Sequence, residues 1–153
     1  MELQSTRGTI AFACLLAGLA VPAAGVAQAS GPELSDAQIA HIAVTANAID
    51  VELAEVARTR GSGEGVREFA SRMITDHTAV NERAAALAGR LGVTLEANAV
   101  SRSLLEGAAA AKRSLSGVRG AAFDRAYVER EVEYHRAVLE ALDGTLIPST
   151  RNG

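Results

Sequence analysis

The residues best suited to chemistry are two histidines, each with an acidic neighbour, in segments that otherwise carry apolar residues. Asp76 directly precedes His77, and Glu131 lies four residues before His135. Imidazole and carboxylate groups are common ligands of iron, manganese and zinc. The third histidine, His41, is predicted to face outward from its helix and is left out of the site.

The candidate residues interrupt or border the apolar stripes of the predicted helices, so they could meet in the middle of a bundle. Carboxylates and imidazoles on facing helices hold two iron or manganese ions in ferritin-like bundles, where Glu-x-x-His places two ligands on one face. This chain has adjacent and i, i+4 pairs in place of that spacing. The candidate residues are Glu52, Asp76, His77, Asp124, Tyr127, Glu131 and His135.

Two interpretations of these residues stay open. One is a metal site for iron, manganese or zinc, although no cofactor is assured by the spacing. The other is a buried hydrogen-bond network, because carboxylates in a core must be paired and polar seam residues can fix helix register. No residue is assigned a catalytic role, and the sequence favours a non-enzymatic protein.

Two long helices are predicted in the first half of the chain. The first begins at Ser35, which forms a capping box with Gln38, and ends at Gly61. The second covers about residues 64–91 and ends at Gly92. Apolar residues recur at steps of three and four. These stripes contain Ile39, Ile42, Ala46, Ile49, Leu53 and Val56 in the first helix, and Val66, Phe69, Met73, Val80, Ala84, Leu87 and Leu91 in the second.

In the second half of the chain, the sequence pattern predicts one shorter and one longer helix. The shorter covers about residues 99–115 with a face of Val100, Leu104, Leu105 and Ala108, and the longer covers about residues 121–142. Gly144 and Pro148 are expected to end the last helix. In it, Asp124, Glu131 and His135 share one heptad row with Val128, Val138 and Leu142. The fold class is therefore all-α, an up-down bundle of three long helices and one shorter helix.

The N-terminus has the three parts of a cleavable signal peptide, predicted to cover residues 1–29. Arg7 precedes an uncharged, Ala- and Leu-rich run, and Ala27-Gln28-Ala29 is a signal-peptidase site. Cleavage would remove Cys14, the chain's one cysteine, which excludes disulfides and thiolate chemistry from the mature chain. Residues 30–34 form a leader, residues 35–147 the bundle domain and residues 148–153 a C-terminal tail.

The charge pattern bears on the partners of the mature chain. The net charge is −3 with scattered arginines, which is not the basic patch of a nucleic-acid-binding protein. After cleavage no apolar stretch reaches the length of about 20 residues that a membrane-spanning helix needs. A second copy of the chain or a helix of another protein remains a candidate partner.

Three segments of the sequence resemble the domain-of-unknown-function family 4142 over about residues 35–150. They are Ala48–Ala54, Phe69–Thr78, and Phe123–Val128 followed by His135. Proteins of this family are small exported bacterial proteins, often labelled predicted outer-membrane proteins, without an established activity. The resemblance implies a ferritin-like bundle in the periplasm or at the outer membrane. It matches the family at Glu52, Asp76, His77, Asp124, Tyr127 and His135.

The sequence departs from the family in two ways. Similar proteins usually have Gln at the position of Glu131, and they continue past Pro148 into a last helix that closes the bundle. An apolar groove is therefore expected here, unless the shorter helix or a second copy covers it. The leading hypothesis is an exported bundle with a structural or stress-related role. The alternatives are a metal-binding or metal-oxidising bundle and a partner-binding helical module.

Overall fold

The computed structural model describes residues 33–151, so the predicted signal peptide lies outside the described residues. The described chain is helical and has no strand between residues 33 and 151. Its elements are α1 (Asp36–Arg60), α2 (Glu64–Leu91), α3 (Ala99–Ser116) and α4 (Gly120–Ala141), followed by a π-helical turn (Leu142–Leu146) and a final helical turn, α5 (Ile147–Ser149).

The helix boundaries follow the local signals in the sequence. Ser35 accepts a hydrogen bond from the Gln38 backbone, and the Gln38 side chain accepts one from the Ser35 backbone, so the predicted capping box is confirmed. Gly92 ends α2 with φ at 64°, a left-handed conformation that glycine adopts without steric cost. Asn98 forms a second capping box with Ser101 at the start of α3.

The prediction that Gly144 and Pro148 end the last helix is wrong. Helical turns continue through Gly144 in the π-helical segment and through Pro148 in α5. Proline is tolerated there because the first turn of a helix needs no donor from its backbone nitrogen. Leu146 is buried against Ile39 and Ile42, and this apolar contact holds the extra turns on the start of α1.

The helices run alternately up and down, with α1 packed against the other three. Side-chain contacts give the directions of α3 and α4. The Asn98 side chain donates to the Gln38 carbonyl, and Lys112 pairs with Glu52, so α3 runs parallel to α1. Tyr134 donates to the Ala46 carbonyl, while Arg60 lies over the Phe123 ring, so α4 runs antiparallel to α1.

The core is formed by α1 and the faces that α2, α3 and α4 turn toward it. Because α1 has helices on several sides, its buried face is wide. Phe123 and Tyr127 of α4 stack with parallel rings and are fully buried. The main apolar cluster contains Ile49, Leu53, Ala54, Ala57, Ala70, Met73, Ala108, Leu115, Phe123 and Tyr127.

Part of the predicted apolar stripes is exposed rather than packed. The second half of α2 turns apolar side chains toward solvent, and so do α3 and α4. An apolar groove of about 690 Å³ lies between α3 and α4. No helix between residues 33 and 151 is long and apolar enough to cross a membrane. The exposed stripe residues are Phe69, Val80, Leu87, Leu91, Val100, Leu105 and Val128.

Candidate metal centre

Three side chains from three helices converge beside the core. Asp50 of α1 is 3 % exposed, and its Oδ2 lies 3.7 Å from His77 Nε2 of α2 and 4.0 Å from His135 Nε2 of α4. The two imidazole rings are tilted, with centroids 5.7 Å apart. One ligand atom from each residue lies within 4.8 Å of the other two, a spacing that could hold a metal ion.

Hydrogen bonds on the far side of each imidazole determine which nitrogen faces Asp50. His77 Nδ1 lies 2.5 Å from Asn47 Oδ1, and Asn47 Nδ2 donates to the Ala43 carbonyl, which orients the amide. His135 Nδ1 lies 2.8 Å from the Glu131 carbonyl oxygen. Both partners only accept, so each Nδ1 carries a proton and each ring turns its Nε2 toward Asp50. Metal-binding histidines in proteins are commonly oriented in this way.

A second carboxylate and a guanidinium lie on the other side of Asp50. Glu131 is 2 % exposed, and its Oε1 accepts a hydrogen bond of 2.6 Å from Arg130 Nη1. The same nitrogen lies 3.9 Å from Asp50 Oδ1, and the Arg130 guanidinium stacks on the Tyr134 ring. Within residues 33–151, no N–H or hydroxyl donor reaches Asp50 Oδ1 or Glu131 Oε2. The two carboxyl groups lie within hydrogen-bond distance of each other, so one proton can be shared between them.

Burial and like charge shift the acidity of these groups. Burial, together with the nearby Glu131 carboxylate, raises the pKa of Asp50 to about 7. Burial also raises the pKa of Glu131, against the opposing effect of Arg130. Burial and the neighbouring His135 lower the pKa of His77, so its ring is neutral at pH 7. A cation among these groups would favour the ionised carboxylates.

The donor set is two imidazoles and one carboxylate, a combination that proteins use for divalent iron and zinc with coordination positions left open. Ligand atoms in a formed site stand about 3.0–3.5 Å apart, given bonds of about 2.1 Å. The Asp50 to histidine distances exceed this by up to about 1 Å, and the widest separation in the cluster, at most 4.8 Å, by up to about 1.8 Å, which side-chain rotations would have to close. The His135 side chain is 39 % exposed, so one edge of the site faces solvent.

The structure brings three of the sequence-predicted residues into this cluster: His77, Glu131 and His135. Two others stay outside it. Glu52 is exposed on α1 and forms an ion pair with Lys112 of α3. Asp76 precedes His77 but is exposed, because adjacent residues point about 100° apart on a helix.

Asp124 and Tyr127 of α4 have separate positions. Asp124 accepts hydrogen bonds from the Ser62 and Gly63 backbone nitrogens and from the Ser62 hydroxyl, so it fastens α4 to the start of α2. Tyr127 lies one turn before Glu131 and is fully buried, and its hydroxyl has no partner among the described residues. Burial raises the pKa of this phenol, so Tyr127 stays protonated.

Sequence reasoning missed Asp50, the centre of the cluster. The prediction followed one stripe of α1 through Ile49 and Leu53 and took Glu52 as the acidic residue at its edge. The available signal was a second stripe, in which Ala54 and Ala57 follow Asp50 at steps of four and three and are fully buried. A helix with two adjacent buried stripes packs against partners on two sides, which makes its polar residues there candidates for the site.

Comparison with known proteins gives a family for the chain. No curated protein and no solved structure matches it. One family model, described as a domain of unknown function (DUF4142), matches residues 21–153. This match covers most of the chain and includes every residue of the cluster described above. The chain therefore belongs to the DUF4142 family, and the sequence-based identification is confirmed.

Proposed function

We propose that this protein binds one divalent transition-metal ion through Asp50, His77 and His135. The observation that carries the proposal is the convergence of two Nε2 atoms and one buried carboxylate oxygen within 4.8 Å of one another. Asn47 and the Glu131 carbonyl support it, because they hold both rings with the lone pairs directed into the site.

The charge balance of the pocket gives a second line of support. Two nearly fully buried carboxylates lie beside the Arg130 guanidinium, which approaches Asp50 through Oδ1 and Glu131 through Oε1, while Asp50 Oδ2 faces the two imidazoles. Buried charges in proteins are paired or coordinate metals. A divalent ion on Asp50 Oδ2 would supply the missing positive charge, while Arg130 continues to neutralise Glu131.

The ligand set favours Zn²⁺ and Fe²⁺ over Mg²⁺ and Ca²⁺, because the latter prefer oxygen ligands. Structural zinc sites are closed by four protein ligands, whereas sites that act on a substrate keep an open position. Three protein ligands and the exposed edge of His135 correspond to the open type. We propose an exchangeable, solvent-accessible ion rather than a closed structural one.

The proposed location is outside the bacterial cytoplasm, in the periplasm or at the outer membrane. The support is the signal-peptide pattern of residues 1–29, with Ala27-Gln28-Ala29 before Ser30. Full-length protein produced in a bacterial host should be recovered from the periplasm with Ser30 as its first residue. Intact mass measurement would contradict the proposal if the product retained residues 1–29.

The metal proposal is tested on that exported protein by elemental analysis and by calorimetric titration with Zn²⁺ and, without oxygen, Fe²⁺. We expect one ion per chain in the wild type, and at least about tenfold weaker binding in Asp50→Asn, His77→Gln and His135→Gln. His41→Gln and Asp76→Asn are matched controls, because these residues lie outside the cluster, and both should bind like the wild type. Absence of binding in the wild type, or equal loss in the controls, would overturn the proposal.

A purely structural role for the same residues is the second candidate. The observation that favours it is that Asn47–His77 and Tyr134–Ala46 already join α1 to α2 and to α4 without a metal. If that were the whole role, the ligand variants would lower the melting temperature of the metal-free protein, and added metal would leave every melting temperature unchanged. Metal-dependent stabilisation of the wild type alone would exclude it, because only binding to the folded state raises stability.

A further inference from the structure

We propose that the outward face of α4 pairs with α4 of a second copy of this chain, in antiparallel orientation. The proposal does not depend on metal binding, although this surface includes the exposed edge of His135. Phe123, Tyr127 and Tyr134 define the side of α4 that packs on the core. Val132 lies on the opposite side of the helix, and it is 45 % exposed.

The outward face has an apolar stripe formed by Val128, Val132 and Leu139. These residues are separated by steps of four and seven, which places them on one side of a helix, with His135 at the turn between Val132 and Leu139. All three are exposed, Leu139 by 58 %. Exposed apolar residues aligned on one face of a small protein indicate an interaction surface, whereas scattered ones do not.

Charged residues beside this stripe alternate in sign. Arg125, Glu129, Arg136 and Glu140 are all exposed. None of them forms a salt bridge within residues 33–151. On the helix they lie along one flank of the apolar stripe, where the charged positions of paired helices lie.

The order of these charges identifies the second copy as the partner and sets its direction. The midpoint between Val132 and Glu133 lies halfway along the chain between Arg125 and Glu140. It also lies halfway between Glu129 and Arg136. A two-fold axis through that midpoint therefore places each arginine opposite a glutamate of the partner. Such a self-complementary patch is what an isologous dimer needs. A parallel pair in register would instead place arginine beside arginine.

The length of the contact sets its expected strength. α4 has 22 residues and is therefore about 33 Å long. A contact between single helices of this length falls at the small end of specific interfaces. Exposed ion pairs add modestly to affinity but strongly to orientation. We expect a reversible dimer with a dissociation constant on the order of micromolar.

Sedimentation equilibrium of the purified full-length product, with EDTA present to exclude bridging by metal, tests the pairing. The wild type should show a monomer–dimer equilibrium. Arg125→Glu and Glu140→Arg should each weaken it by roughly tenfold, because each places like charges opposite one another in two symmetric pairs. An equimolar mixture of these two variants should recover dimers, since the mixed pair restores both attractive contacts. Arg102→Glu on the exposed face of α3 is the control and should dimerise like the wild type.

Three outcomes would overturn the proposal. A wild type that stays monomeric at several hundred micromolar would exclude this partner. If neither charge reversal weakened dimerisation, the second copy would have to bind a different surface. Failure of the mixed variants to recover dimers, while both keep a wild-type helical circular dichroism spectrum, would exclude the antiparallel register.

Discussion

Arg130 Nη1 lies 3.9 Å from Asp50 Oδ1, while the other oxygen of the same carboxylate faces His77 Nε2. The two oxygens of Asp50 thus have different partners: a permanent cation on one side and two imidazoles on the other. Arg130 is itself held by Glu131 at 2.6 Å and by the Tyr134 ring. Among the described residues Arg130 is the one permanent cation beside the two buried acids, and the histidine side is where a metal ion fits.

Substitution of Arg130 should lower the stability of the metal-free protein. In Arg130→Gln the two carboxylates lose their counter-ion, and we expect the free energy of unfolding of the metal-free protein at pH 8 to fall by about 3 kcal/mol. Saturating Zn²⁺ should recover part of this loss, because the ion provides the missing charge. Urea unfolding with and without metal measures both effects.

The control for this experiment is Arg72→Gln, since Arg72 is exposed on α2 and lies outside the cluster. Surface substitutions of this kind usually change stability by less than about 0.5 kcal/mol. Equal destabilisation of the two variants would show that Arg130 contributes nothing specific to the cluster.

Asp50→Asn should separate stability from metal binding. In the metal-free protein the pKa of Asp50 is raised from its ordinary value, about 3.9, to about 7, mainly by burial. Its contribution to stability is therefore complete below about pH 4 and is lost as the pH rises through 7. Asn does not ionise, so the variant should become progressively more stable than the wild type across this range, by an amount on the order of 4 kcal/mol at pH 8.

Thermal melting of the EDTA-treated proteins between pH 4 and pH 8 measures this difference. Added Zn²⁺ at pH 8 should reverse the order, because only the wild type keeps all three ligands. A stability difference that stays constant with pH would contradict the assignment of Asp50 as an ionising group of the folded state.

Asp124 should show the opposite pH dependence. Hydrogen bonds from the Ser62 hydroxyl and from the Ser62 and Gly63 backbone hold the pKa of Asp124 below its usual range. A lowered pKa contributes stability above the unfolded-state value, about 3.9, and that contribution is lost as the pH falls through the folded-state value. Asp124→Asn should therefore melt at a lower temperature than the wild type at pH 7.

The gap between the two melting temperatures should close as the pH falls from 4 toward 2.5. Glu106→Gln on α3 is the control, because Glu106 is exposed and accepts none of the hydrogen bonds from the loop before α2. A gap that persists unchanged at pH 2.5 would show that the effect of Asp124 does not depend on its charge.

A methyl group added at either of two glycines should change stability in opposite directions. A Cβ at Gly61 would lie 2.7 Å from the Ala57 carbonyl oxygen and 3.2 Å from a Val66 methyl group, so Gly61→Ala should destabilise the protein by about 1–3 kcal/mol. A Cβ at Gly107, in the middle of α3, would meet nothing within 4 Å. Gly107→Ala should stabilise by about 0.5–1 kcal/mol through helix propensity. Urea unfolding compares the two, and a stabilising Gly61→Ala would contradict the close approach of α1 and α2 at this turn.

The elements of this protein are determined largely by local sequence. Ser35 with Gln38 starts α1, and Gly92 ends α2 in a left-handed conformation, because caps and turns depend on a few neighbouring residues. The exceptions lie where a distant contact overrides a local signal. Gly144 and Pro148 would end a helix by themselves, but burial of Leu146 on α1 keeps the chain helical through both.

The candidate site also has residues that the sequence identifies and residues that only the fold brings in. The sequence by itself identified His77, Glu131 and His135, because each interrupts an apolar stripe and the stripe alone shows which face is inside. Only the tertiary structure decided that Asp50 is their common partner and that Glu52 and Asp76 are not. The physical reason is that a single stripe shows one buried face of a helix, whereas the width of the buried face of α1 depends on how many helices pack around it.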